Sequence, residues 1–69
     1  MIIKATKLNF EIIGAAACDS IVMDQLIDGL IKIAEANFSL ADQGQAWTFV
    51  DENGILSYLA AFGWNISIS

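Results

Sequence analysis

Residues 20–37 read SIVMDQLIDGLIKIAEAN, and this run decides the fold class. At the helical period of 3.6 residues, Val22, Met23, Leu26, Ile27, Leu30, Ile31, Ile33 and Ala34 share one half of the wheel. Asp24, Gln25, Asp28, Lys32 and Glu35 fill a narrower arc opposite. The run is therefore expected to form one long amphipathic helix, with Asp19 or Ser20 accepting hydrogen bonds from its free first-turn amides. The apolar half is wider than the roughly 100° stripe of an ordinary surface helix. Such a helix lies under a sheet, or divides its apolar surface between a core and a partner. Asp28 and Lys32 stand four apart in the favourable order, whereas Asp24 and Asp28 repel at the same spacing. Gly29 costs about 1 kcal/mol relative to Ala inside a helix. A close backbone contact would explain it.

Upstream, residues 2–13 alternate and predict a strand. Ile2, Leu8, Phe10 and Ile12 fall on one face, and Lys7, Asn9 and Glu11 on the other. Gly14 to Cys18 then forms a connection of small residues.

Downstream, Ser39 to Gln45 reads as a loop, and Ala46-Trp47-Thr48-Phe49-Val50 as a short strand rich in β-branched and aromatic residues. Two readings of residues 51–63 stand. Asn53-Gly54 between apolar runs is a hairpin signal. Against it, Ile55, Tyr58, Leu59 and Phe62 repeat at helical spacing, and Gly63 sits where a left-handed C-terminal cap would fall. A helix over 52–62 is the favoured reading. Trp64, Ile66 and Ile68 then alternate with Asn65, Ser67 and Ser69 as a final strand. If that strand lies at a sheet edge, it is open to pairing with another chain. Together these segments predict a single α+β domain. A small three-stranded sheet, or a four-stranded one, packs against one long amphipathic helix, with a second short helix.

Composition narrows the function. The chain has 69 residues, 57% of them hydrophobic, with eight carboxylates, three basic residues, no His and a formal net charge of −5. Mean hydropathy is +0.60, so the chain is expected to fold. Lys4, Lys7 and Lys32 cannot make the basic stripe of a nucleic-acid binder. A catalytic His and a His/Cys zinc site lack their residues. Asp51-Glu52-Asn53-Gly54 begins like a calcium loop, but Ile55, Leu56 and Phe62 then stand where a side-chain ligand, the glycine and the bidentate acid belong. Cys18 could be a nucleophile at a helix start, yet without His it lacks its usual base, and a small packed residue is the plainer reading. No cofactor or metal is expected, and no enzyme activity.

Gly14-Ala15-Ala16-Ala17-Cys18 resembles a lipoprotein cleavage site, but Asn9 and Glu11 interrupt the apolar region that would precede it. The uncharged run from Asn53 to Ser69 contains too many polar residues for a membrane span. A cytoplasmic protein is expected. With a single cysteine no internal disulfide can reinforce so small a domain, so association with itself or a partner is expected to do so. The expected role is a protein-binding module without catalysis, an inhibitor or adaptor of phage or mobile-element type. It would occlude a basic or apolar site on another protein, including one that binds nucleic acid. Asp24, Asp28 and Glu35 would steer, and Trp47 and Trp64 would anchor. The alternative is a self-assembling structural subunit, a homo-oligomer with no separate ligand.

Overall fold

The strand expected over residues 2–13 is instead a hairpin. The structure, a computed structural model, describes residues 1–36 and 54–69; the expected strand at 46–50 with Trp47, and residues 51–53, lie outside the described residues. Strand β1 (Ile2–Lys7) turns at Leu8-Asn9 into β2 (Phe10–Ala15), pairing Lys7 with Phe10, Ala5 with Ile12 and Ile3 with Gly14. The turn was missed because its residues carry no hairpin signal. A two-residue loop of the primed types needs positive φ at its first position, where Gly or Asn is usual. Here Leu8 takes φ 55°. The turn also inverts the face pattern: odd residues of β1 share a face with even residues of β2. Ile3, Ala5 and Ile12 are buried, while Ile2 and Leu8, expected on the inner face, are 50% and 88% exposed.

Helix α1 (Asp19–Ala36) follows. Its cap is neither of the expected residues: the Cys18 carbonyl accepts from the amides of Ile21 and Val22, which makes Cys18 the N-cap. Val22, Leu26, Leu30 and Ala34, four apart, form the buried stripe, and Met23, Ile27 and Ile33 pack half-buried beside it. The wide apolar half thus resolves into a core seam with partly covered flanks. Glycines let α1 lie directly on β2. A Cβ on Gly14 would come 2.6 Å from the Val22 carbonyl oxygen, and one on Gly29 would come 2.8 Å from Cγ2 of Ile12. Real Cβ atoms do not approach so closely, so Gly29 is explained by the close contact expected of it.

Of the two readings of 51–63, the helix holds over the described residues, as α2 (Ile55–Ala61). It ends in a full Schellman motif: the Trp64 amide donates to the Leu59 carbonyl, and Gly63, at φ +86°, donates to Ala60. Lys7 Nζ donates to the Phe62 carbonyl at 2.7 Å, placing a cation at the negative end of α2. β3 (Asn65–Ile68) then pairs with β1, giving a three-stranded antiparallel sheet in the order β2-β1-β3. α1 covers β2 and α2 covers β3, both on one face. Ile3, Ala5, Ile12, Val22, Leu26, Leu30, Ile55, Leu59 and Trp64 fill the space between sheet and helices. The α+β class, the sheet, the long helix and the short second helix are as the pattern predicts.

Candidate functional site

Packing the apolar seam of α1 against β2 turns its opposite side to solvent. That side presents Asp24, Asp28, Lys32 and Glu35, all exposed. The rise of about 1.5 Å per residue puts Asp24 and Asp28 about 6 Å apart along the axis, and Glu35 about 10 Å further on. Lys32 Nζ lies 2.9 Å from an Asp28 carboxylate oxygen, as the spacing predicts. This hydrogen bond, then the charge of Asp28, raises the Lys32 pKa. Both side chains are well exposed, so the pair adds little stability. It does partly neutralise Asp28, leaving Asp24 and Glu35 on either side as carboxylates that form no ion pair among the described residues. The three acidic residues singled out from the sequence therefore share one solvent-facing side of one rigid element.

The two tryptophans do not join them. Trp64 is 5% exposed and belongs to the core, with its amide in the α2 cap, so it presents no ring to a partner. Trp47 lies outside the described residues.

The outer face of the sheet is a surface that sequence reading did not assemble. Ile2, Lys4 and Thr6 alternate on it, beside Glu11 and Ile13 from β2 and Asn65 and Ser67 from β3. Ile2 and Ile13 are each about half exposed. Lys4 Nζ reaches Glu11 at 3.3 Å across the diagonal of the hairpin. A shallow groove of about 280 Å³ runs along Lys4, Thr6, Asn65, Ile66 and Ser67. Treating 2–13 as one strand assigned the faces of β1 wrongly, so this grouping was not seen.

Cys18 is exposed rather than packed at a junction. Its Sγ lies 3.1 Å from Ser20 Oγ. That hydroxyl, then the amides of Ile21 and Ser20, pull the thiol pKa below its ordinary value, against a smaller opposing effect from Asp19. The arrangement favours a thiolate, as helix starts do.

Among the described residues, no group of three or more Cys, Asp or Glu side chains could hold a metal ion. Among them, too, no helix is long and apolar enough to cross a membrane. Comparison with family models, with curated proteins and with solved structures finds no significant match to this chain.

Proposed function

We propose that this chain is a non-enzymatic protein-binding module, a small acidic inhibitor or adaptor whose partner carries a basic surface, as nucleic-acid-binding proteins do. The observation that carries the reading is the solvent side of α1. Asp24, Asp28 and Glu35 stand in line on a helix whose other side is locked to β2 by buried Val22, Leu26 and Leu30. A rigid row of carboxylates keeps its spacing on binding, so it loses little side-chain-bearing backbone freedom when a basic patch docks. The net charge of −5 extends the attraction beyond contact distance and speeds encounter with a cationic partner. Docked there, the domain covers the partner's basic site and blocks whatever else would bind it.

The test is kinetic. A partner captured by photo-cross-linking from the α1 surface is purified, and its association rate is measured from about 20 to 300 mM salt, a range over which surface charges become screened. Reversal of Asp24 and Asp28 to Lys slows association and flattens its salt dependence. An unchanged rate removes α1 from the interface.

A further inference from the structure

The two edges of the sheet are not alike. In an antiparallel ladder, residues alternate between those whose backbone groups bond to the neighbour and those whose groups point away. Ile2 and Ser69 exchange both backbone bonds, at 2.9 and 2.8 Å. By alternation Lys4 bonds to Ser67 and Thr6 to Asn65. The backbone N–H and C=O groups of Ile66 and Ile68 therefore point outward from β3, and among the described residues no strand pairs with them. The far edge, on β2, is defended: it carries the charge of Glu11, and α1 reaches over it, with Gln25 Oε1 accepting the outward amide of Ala15 at 2.7 Å. β3 has no Lys, no Pro and no bulge, the devices that keep edges from pairing.

Charge selects the occupant. From Gly54 to Ser69, through α2 and β3, there is no Asp, Glu, Lys or Arg side chain. Two molecules of net charge −5 repel wherever their carboxylates approach; on this side they can meet without that penalty. A basic partner gains nothing here, where the neighbouring charges are the cations of Lys4 and Lys7. Ile68, 58% exposed, and Phe62, 38% exposed, offer apolar area here.

We propose that β3 is a homodimer interface, joining a second copy of this chain edge to edge and antiparallel. Paired residues must share a face, so the inward Ile66 and Ile68 set the register. Ile66 stands opposite Ile68 of the other copy, and the pair exchanges its outward backbone bonds. Ser67 faces its own symmetry mate at the close, non-bonded position. The two-fold axis is perpendicular to the sheet, so the three-stranded sheet doubles and both helical layers stay on one side. Both acidic α1 faces remain uncovered, so dimerisation does not depend on the heterologous binding proposed above and does not compete with it.

The experiment is solution mass by light scattering, from about 1 to 100 μM, a range that brackets a dissociation constant of about 10 μM. The wild type moves to twice its 7.5 kDa chain mass. Ile68→Pro removes an outward N–H without touching a bond to β1, and weakens dimerisation at least about tenfold. Ser67→Lys and Ser67→Glu each set like charges opposite one another and weaken it several-fold. Their equimolar mixture restores it, which a folding defect could not do. Hydrogen exchange in the wild type gives a second reading: the amides of Ile66 and Ile68 become protected as concentration rises. A monomer throughout the range overturns the proposal. So does a dimer that keeps its affinity in these variants and leaves those two amides fast.

Discussion

Ile12 occupies the space where a side chain on Gly29 would begin: a Cβ there would lie 2.8 Å from its Cγ2. Two opposing effects meet at this position. Ala in place of Gly gains about 1 kcal/mol of helix propensity. Forcing a methyl group against a stiff β-branched residue costs about 1–3 kcal/mol. Because Ile12 is 2% exposed and held in the sheet, it has little room to yield. Gly29→Ala is therefore expected to lower stability by about 1 kcal/mol net, read as a lower urea midpoint at unchanged slope. Ile12→Ala alone is destabilising, but the two changes together cost less than their sum. Additive costs would mean that the two residues do not touch.

Gly63 is suited to its place for a different reason. Among the described residues nothing lies within 4 Å of where its Cβ would be, but its φ is +86°. Gly63→Ala is expected to cost about 1 kcal/mol from backbone strain alone. No truncation of a neighbour should rescue it, which thermal melts of paired variants would check.

At the hairpin, Leu8 holds φ 55° with its side chain almost wholly in solvent. The chain bears the strain and gains no burial in return. Leu8→Gly is expected to stabilise by about 1 kcal/mol, with Leu8→Asn next. A loss of stability in urea titration would contradict the positive φ.

Cys18 should titrate below an ordinary thiol, since Ser20 Oγ and the first amides of α1 favour its anion. The rate of iodoacetamide alkylation against pH reads this directly, because only the thiolate reacts. Removing the Ser20 hydroxyl, the strongest of these influences, with Ser20→Ala moves the midpoint up toward the ordinary value. A midpoint unmoved by that change would place the thiol elsewhere.

Long-period patterns were legible in the sequence, and local exceptions were not. Val22, Leu26, Leu30 and Ala34 repeat across a whole helix, so α1 and its buried side follow from hydrophobic spacing. Ile55, Leu59 and Gly63 placed α2 and its cap in the same way, against the competing Asn53-Gly54 signal. The turn at Leu8-Asn9 escaped because a residue suited to a strand takes a glycine's conformation, compelled by the pairing of Ile3 with Gly14 and Ala5 with Ile12 on either side. Missing it reversed the faces of the first strand, and with them the outer-face grouping of Ile2, Lys4 and Ile13. For the candidate site, exposure of Asp24, Asp28 and Glu35 followed from the helical wheel. Trp64 could not be placed that way. Beside a short edge strand a tryptophan reads alike as anchor or core, and its place in one cluster with Ile55 and Leu59 of α2 shows only in the packed fold.

The central claim is that the acidic side of α1 is the recognition surface. Amide chemical shifts of the labelled protein, followed while its purified partner is added, test it most directly. The account predicts perturbations centred on Asp24, Asp28 and Glu35, reduced when Asp24 and Asp28 are reversed to Lys. Perturbations confined to the outer sheet face around Ile2, Lys4 and Ile13, with α1 silent, would contradict it.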